Sequence, residues 1–197
     1  AEDDRIYEAI AQLLGEDFIW SGSEGNCELR YQADVHHWHA DRYGKKELGY
    51  RRIKIMIYLE PMKKEEGALR VLPGSHRSPF HESLDPLQIH HGEENPMYLG
   101  VPGPEIPCYA LESNPGDMVM FNQNLFHGVY GKKPNRHYIA LKFAARPRTD
   151  AHLTSLQQWS PYAFEPDAAL LNSDSPRLRN MVEGLVELGE KARSLEA

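Results

Sequence analysis

The sequence His39-Ala40-Asp41, followed far along the chain by His127, limits the folds open to this protein more than any other feature. Two imidazoles and one carboxylate can bind one side of a divalent metal ion and leave the other side open, as in non-haem Fe(II) oxygenases. Residues two apart in a strand point to the same face, so His39 and Asp41 can converge on one ion. Two neighbouring ligands do not fix a site. A fold that uses them must therefore bring His127 back to the first pair.

Each of these residues also has a plainer interpretation. An isolated His-x-Asp is most often a hydrogen-bonded surface pair, and a single distant histidine is most often a loop residue. His36 and His37 lie in the same short stretch. They are alternative ligands, residues that line a substrate pocket, or exposed imidazoles. The residues that we expect to bind the metal and to be catalytic are His39, Asp41 and His127.

Arg136 follows His127 closely and suits a different task. Its planar guanidinium matches a carboxylate through two parallel hydrogen bonds, so an arginine near such a metal site can hold a dicarboxylate co-substrate. The three ligands and this arginine together predict an oxygenase.

Length and composition restrict the class of protein. The 197 residues suffice for one domain with a sizeable core, and we expect a single domain over residues 1–197. The net charge of −7 argues against a nucleic-acid partner, and no apolar stretch is long enough to indicate a membrane partner. The two cysteines, Cys27 and Cys108, are too few for a closed four-ligand zinc site and lie too far apart to suggest a disulfide framework. A reducing cytoplasm is the expected location.

The hydrophobic pattern predicts short strands, with helices at the two ends of the chain. Apolar residues at helical spacing over Arg5–Leu14 predict a first helix that Gly15 ends, and Ser175-Pro176 is a typical helix start. The predicted strands are Phe18–Trp20, Cys27–Tyr31, Ile53–Tyr58, Gly67–Leu72, Met118–Phe121 and Tyr138–Phe143. We expect a turn at Ser21–Gly25 between the first two strands. This order of elements indicates a β-barrel or sandwich flanked by helices.

The segment from His76 to Pro115 is rich in proline, glycine and histidine and has little periodicity. So long a segment without secondary structure inside a domain usually forms a lid or a binding loop. We expect it to cover the site, because an oxygenase must exclude water from its reaction.

Several blocks of the sequence resemble the phytanoyl-CoA dioxygenase family of Fe(II)/2-oxoglutarate-dependent oxygenases. The blocks are Trp38-His39-Ala40-Asp41, the sequence EGALRVLPGSH at residues 66–76, the sequence PGDMVMF at residues 115–121, His127-Gly128 and Asn135-Arg136. The G-x-L-x-V-x-P-G-S-H pattern in the second block is the most specific of them. The resemblance covers roughly residues 5–145.

The resemblance implies a mainly β fold, with a double-stranded β-helix (jelly-roll) core and flanking helices at the N- and C-terminal ends. It implies that His39, Asp41 and His127 bind Fe(II) and that Arg136 pairs with the distal carboxylate of 2-oxoglutarate. Asn26 lies where relatives place an amide that contacts this co-substrate, and a simple turn residue is the alternative.

Two further features of the family bear on this chain. Relatives usually have a longer N-terminal region, with an additional strand and helix, which this sequence lacks. Pro73-Gly74-Ser75-His76 is diagnostic of the family, and we expect a structural turn with a capping serine there rather than a metal ligand.

The resemblance therefore implies an Fe(II)- and 2-oxoglutarate-dependent dioxygenase. It would use O2 to hydroxylate an unactivated C–H bond of a small-molecule substrate while 2-oxoglutarate is decarboxylated to succinate. Halogenating relatives have a small residue at the carboxylate position, so Asp41 favours hydroxylation over halogenation. The alternative is a cupin-like metal-binding isomerase or sensor without oxygenase activity, which would recruit His36 or His37 as a ligand.

Overall fold

The computed structural model describes residues 2–28, 35–94, 96–134 and 136–195, without the side chains of Cys27 and Glu28. The helices are α1 Asp4–Leu14, α2 Phe80–Ser83, α3 Asp85–Ile89, α4 Asp150–Trp159, α5 Ala168–Leu171, α6 Pro176–Asn180 and α7 Leu185–Ser194. The strands are β1 Ile19–Glu28, β2 Val35–His39, β3 Arg52–Tyr58, β4 Leu69–Val71, β5 Met97–Tyr98, β6 Val101–Pro102, β7 Tyr109–Leu111, β8 Met118–Asn122, β9 His127–Tyr130 and β10 Arg136–Ala144. Within the described ranges, no helix has both the length and the apolar character needed to span a membrane.

The strands form two four-stranded sheets and one short hairpin. The sheet orders are β1-β10-β3-β8 and β2-β9-β4-β7, and β5 pairs with β6. One buried cluster takes Met56 and Tyr58 from the first sheet and Leu69, Val71 and Val129 from the second. The two sheets therefore enclose an apolar core between them, as in a β-sandwich. This confirms the predicted mainly β architecture.

The chain divides into two compact units. Unit 1 comprises Ala1–Ser23, Tyr50–Arg52 and Leu141–Ala197, and unit 2 comprises Glu24–Gly49 and Ile53–Ala140. Every residue of the predicted site belongs to unit 2. The single domain expected over residues 1–197 stays a prediction.

Unit 1 is built on its helices. The side chain of Asp3 accepts a hydrogen bond from the amide of Arg5 and caps α1, and Gly15 ends that helix as predicted. Helices α4 and α7 enclose a cluster of buried apolar residues that includes Leu153, Leu156, Phe164, Val182 and Leu185. Helix α4 was not predicted from the sequence.

The first strand corrects one prediction made from the sequence. We expected a turn at Ser21–Gly25, but β1 runs without interruption from Ile19 to Glu28. A Cβ atom on Gly22 would lie 2.4 Å from a ring carbon of Tyr162, so this glycine serves close packing rather than a turn. Residues 29–31 of the second predicted strand lie outside the described residues.

The segment from His76 to Pro115 is more ordered than the sequence suggested, since it contains α2, α3 and β5 to β7. Leu84 and Leu87 are buried in a cluster with Trp38, Leu72 and Ile106. Helices of four and five residues are too short to show a helical hydrophobic period, which is why the pattern missed them. At the C-terminus, Ser175 caps α6 as predicted.

Candidate metal centre

The register of β2 and β9 brings the two predicted ligand histidines together. His39 is the last residue of β2, His127 is the first residue of β9, and their Cα atoms are direct partners across the antiparallel pair. Side chains of such partners lie on the same face of a sheet. Their ring centroids are 4.4 Å apart. Asp41 lies just past the end of β2 and still joins the two histidines in one group.

The three donor groups form one compact set. Asp41 Oδ1 lies 3.7 Å from Nε2 of His39 and 3.7 Å from Nε2 of His127. One ligand atom from each residue lies within 4.8 Å of the other two. In the part of the chain that the structure describes, no other group of this kind occurs, and neither His36 nor His37 joins it.

The hydrogen bonds of the two imidazoles fix their tautomers. His39 Nδ1 lies 2.7 Å from the carbonyl oxygen of His37, and His127 Nδ1 lies 2.9 Å from that of Leu125. A carbonyl only accepts, so each Nδ1 carries the proton and each Nε2 presents a lone pair to the set. Burial, with a contribution from His39, lowers the pKa of His127 to about 3. The donor set therefore fits a divalent metal ion, because the His127 ring is neutral and both rings are oriented by their Nδ1 contacts.

Asp41 uses its two oxygens differently. Oδ2 accepts a hydrogen bond from Lys54 Nζ at 3.2 Å, while Oδ1 faces the imidazoles. Burial alone would raise the pKa of Asp41, but Lys54 and the two histidines outweigh it and hold that pKa well below its usual range. The carboxylate is therefore ionised, and one of its oxygens is already held in place.

The sequence did not single out Lys54, although a signal was present. In β3, Lys54 alternates with Ile53 and Ile55, and it shares a face with Met56 and Tyr58. That mixed face is the one that reaches the site, since Lys54 contacts Asp41.

Arg136 begins β10 and is buried. Its Nε–H donates to the carbonyl oxygen of Gly67 at 3.1 Å. The guanidinium carbon lies 4.6 Å from the ring centroid of Tyr138 and 5.7 Å from that of Tyr58, and both distances are within the range of cation–π attraction. A Cβ atom on Gly67 would lie 3.3 Å from Arg136 Cδ, so glycine allows the arginine its position. Asn135, which precedes it, lies outside the described residues.

Asn26 connects to the same tyrosine. It belongs to β1 and not to a turn, which overturns the plain alternative for this residue. Its Nδ2 donates to the hydroxyl oxygen of Tyr138 at 2.8 Å. Asn26, Tyr138 and Arg136 therefore form one contiguous group.

Residues 73–76 form the predicted turn, and Ser75 within it is fully buried. Ser75 caps no helix, since Pro79 is the residue that precedes α2. Its Oγ accepts a hydrogen bond from the amide of Phe126, the residue before His127, at 2.8 Å. Its carbonyl oxygen accepts from His81 Nδ1 at 2.9 Å, and His81 Nε2 accepts from the amide of Gly44 at 3.3 Å. Ser75 and His81 thus connect the segment just before His127 to the segment just after Asp41.

Two hydrogen bonds make a second connection between the same two segments, and the sequence analysis did not predict it. The amide of Arg42 donates to the carbonyl oxygen of Gln123 at 3.0 Å. Asn124 Nδ2 donates to the carbonyl oxygen of Arg42 at 2.8 Å. Both backbone groups of the residue after Asp41 are therefore held by the segment before His127. Polar residues between two strands read as turn residues, so the pattern gave no signal of this role.

The sequence model of the family described as "Phytanoyl-CoA dioxygenase (PhyH)" matches residues 11–133, a range that includes the three metal-ligand candidates and Asn26 but not Arg136. No protein of curated function matched the chain.

Solved structures share the fold. EctD from S. alaskensis with bound Fe is 25% identical, with a TM-score of 0.51 over 73% of this chain and 50% of that one. HygX from Streptomyces hygroscopicus with iron bound is 18% identical, with a TM-score of 0.54 over 75% and 66%. SnoN, a non-haem α-ketoglutarate-dependent epimerase from nogalamycin biosynthesis, is 14% identical, with a TM-score of 0.50 over 73% and 53%. The chain thus spans less than two thirds of the length of each of these structures.

These comparisons bear on the predicted fold and cofactors. The likeness to the EctD-type structures confirms the double-stranded β-helix core with flanking helices. Iron is present in one EctD structure and 2-oxoglutarate in another, which confirms the predicted cofactors for enzymes of this kind. The match to the family model spans more than half of the 197 residues and includes the donor set formed by His39, Asp41 and His127. The chain belongs to the phytanoyl-CoA dioxygenase (PhyH) family.

Proposed function

We propose that this protein is an Fe(II)- and 2-oxoglutarate-dependent dioxygenase that hydroxylates a C–H bond of a small-molecule substrate. The observation that carries the proposal is the set formed by His39, Asp41 and His127, whose donor atoms lie within 4.8 Å of one another. When bound, Fe(II) supplies the redox chemistry that couples the reduction of O2 to the oxidation of both organic substrates. In the overall reaction, one oxygen atom of O2 enters succinate and the other enters the hydroxylated product, with release of CO2.

The residues of this chain divide the work between holding the metal and holding the co-substrate. Three protein ligands leave the other metal positions to 2-oxoglutarate and O2. The guanidinium of Arg136 pairs with the distal carboxylate of 2-oxoglutarate, and Tyr138 supports it from one side. Asn26 supports the same arginine indirectly, through its hydrogen bond to Tyr138.

Hydroxylation is favoured over two other reactions. Halogenation needs a vacant metal position where Asp41 stands, and Lys54 holds that carboxylate in place. A cupin-like site would include His36 or His37, and neither belongs to the donor set found among the described residues. The epimerase SnoN shows that one fold supports more than one reaction, so the product must be identified directly.

Binding of 2-oxoglutarate to the metal is the first test. We expect a visible charge-transfer band when 2-oxoglutarate is added to the Fe(II) protein without O2, because the keto acid must chelate the iron. The Asp41→Ala protein should show no band, while Asp174→Ala, which changes an exposed aspartate in unit 1, should behave as the wild type. A wild-type protein that binds Fe(II) and gives no band would refute the oxygenase.

The reaction type is the second test. A panel of small-molecule substrates is incubated with Fe(II), 2-oxoglutarate and O2, and both succinate and substrate-derived products are measured. Hydroxylation predicts a product heavier by one oxygen atom, with succinate in equal amount. A product of unchanged mass and altered stereochemistry would instead indicate an epimerase.

A further inference from the structure

Helix α3 contacts the short segment that carries two of the metal ligands. Gln88 in α3 accepts a hydrogen bond on Oε1 from the amide of Ala40 at 2.8 Å. Ala40 is buried and lies between His39 and Asp41. Since β2 ends at His39, the amide of Ala40 lies beyond the strand, and the side chain of Gln88 supplies its hydrogen-bond acceptor.

Two other residues of the same region make contacts on either side of Ala40. The ring of His91 lies 4.1 Å from that of His39, measured between centroids. His81 accepts a hydrogen bond from the amide of Gly44, which follows Asp41. Residues 80–91, which we call the clamp, therefore hold the ligand-bearing segment at three points.

The clamp is itself anchored in the core of unit 2. Leu84 and Leu87 are buried against Trp38 and Ala40, and His81 is fully buried with its Nδ1 on the carbonyl oxygen of Ser75. A rigid support of this kind lets one hydrogen bond control the backbone between two ligands. Groups that orient metal ligands typically change metal affinity 10- to 100-fold when they are removed.

We propose that Gln88 is a positioning residue that sets the orientation of His39 and Asp41 by holding the amide between them, with His91 supporting the imidazole of His39. This inference rests on the proposed metal site. Rotation of the peptide unit before Ala40 would turn His39 relative to Asp41, and the Gln88 acceptor opposes that rotation. The effect is on metal affinity and ligand geometry, since the Oε1 atom of Gln88 accepts from the Ala40 amide.

The test uses a graded set of variants in the full chain with Mn(II) as the probe. Gln88→Met keeps the length of the side chain and removes the acceptor, whereas Gln88→Glu keeps an acceptor oxygen. We expect Gln88→Met to weaken Mn(II) binding about 10- to 100-fold, and Gln88→Glu to retain most of the affinity. Gln12→Met, at an exposed glutamine of α1, is the matched control and should bind as the wild type.

Hydrogen exchange of the Ala40 amide in the metal-free protein supplies a readout that needs no metal. Its exchange should accelerate in Gln88→Met but not in Gln88→Glu, while the thermal midpoint shows that each variant is folded. His91→Ala changes an exposed side chain. It should weaken Mn(II) binding about 2- to 10-fold through loss of the ring contact.

The outcomes separate the two proposals. A wild-type protein that binds no Mn(II) contradicts the proposed function, and the exchange of Ala40 then still reports on the clamp. A wild-type protein that binds Mn(II), with unchanged affinity in either His91→Ala or folded Gln88→Met, overturns the clamp and leaves the metal site standing.

Discussion

The two ligand histidines receive their orientation from main-chain carbonyls. His37 and Leu125 supply acceptor oxygens to the two Nδ1 atoms. Because any residue type has such a carbonyl, the sequence could indicate the ligands but not their tautomers. The residue types were enough to predict His39, Asp41, His127 and Arg136 as site residues. The orientation of the two imidazole rings depends on main-chain geometry, which the residue types do not show.

The side chains of Lys54, Gln88 and Asn124 also support the site, and the sequence analysis did not predict these roles. Each contacts the ligand-bearing segment, through Asp41, Ala40 and Arg42 respectively. Their roles depend on contacts between distant parts of the chain. The mixed face of β3 gave a signal for Lys54, whereas nothing in the local spacing distinguishes Gln88 and Asn124 from ordinary helix or turn residues.

Arg136→Ala should weaken 2-oxoglutarate binding and leave metal binding intact. Loss of one buried, bidentate charge contact costs roughly 2–5 kcal/mol. Calorimetric titration of 2-oxoglutarate into the Mn(II) protein measures the change. Arg148→Ala is the control, because that side chain is 68% exposed. Equal 2-oxoglutarate affinity in Arg136→Ala and the wild type would remove the proposed role of this residue.

Ser75→Ala should lower the free energy of unfolding by about 1–3 kcal/mol, since it leaves the buried amide of Phe126 without its acceptor. Urea unfolding measures the loss, with the exposed Ser23→Ala as control. We also expect weaker Mn(II) binding in Ser75→Ala, because Phe126 immediately precedes His127. A loss no larger than that of Ser23→Ala would contradict this account.

Single elements were predictable where their pattern was long enough. The alternation in Ile53–Tyr58 and Tyr138–Phe143 predicted the centres of β3 and β10, because a strand with two distinct faces has a period of two. The helices α2 and α3, of four and five residues, are each shorter than two helical turns, so no hydrophobic period could show in them. Strand β1 was divided in the prediction because Gly22 reads as a turn residue, although it serves packing against Tyr162.

The connection before β4 offers a test of how one element supports Arg136. Gly67 has φ of 96°, and a Cβ there would lie 3.3 Å from both Arg136 Cδ and the backbone Cα of Lys132. Gly116 has φ of 89° and nothing within 4 Å of its added Cβ. Both alanine variants carry backbone strain of about 1–3 kcal/mol.

Gly67→Ala should therefore be less stable than Gly116→Ala, by about 1–3 kcal/mol of overpacking. It should also weaken 2-oxoglutarate binding, which Gly116→Ala should not. Thermal unfolding and calorimetric titration of the two proteins measure these differences. Equal behaviour of the two variants would show that Gly67 does not shape the environment of Arg136.

On the scale of the whole molecule, the sheet order could not be derived from the pattern of residues. The order β2-β9-β4-β7 joins strands that are distant in sequence. Hydrophobic alternation identifies a strand but not its neighbour, so only the family resemblance predicted the double-stranded β-helix. The division into two units, in which three separate stretches of chain form unit 1, had no signal in composition.

Metal binding should stabilise the folded protein, with its largest effect in unit 2, to which all three ligand candidates belong. At a Mn(II) concentration 100 times the dissociation constant, the stabilisation is about 2.7 kcal/mol. Hydrogen exchange with and without Mn(II) should show the strongest new protection in β2 and β9. Asp41→Ala should show none, and protection concentrated in unit 1 would place the ion elsewhere.

The ammonium group of Lys54 would lose its ion-pair partner if the carboxylate of Asp41 were removed. In Asp41→Ala, this cation would face a small opening where the lost oxygens stood, and formate fits both the charge and the size of that opening. We expect added formate to restore part of the Mn(II) affinity of Asp41→Ala, and to restore much less in a protein that also carries Lys54→Met. Equal recovery in both proteins would show that the lysine attracts no anion there.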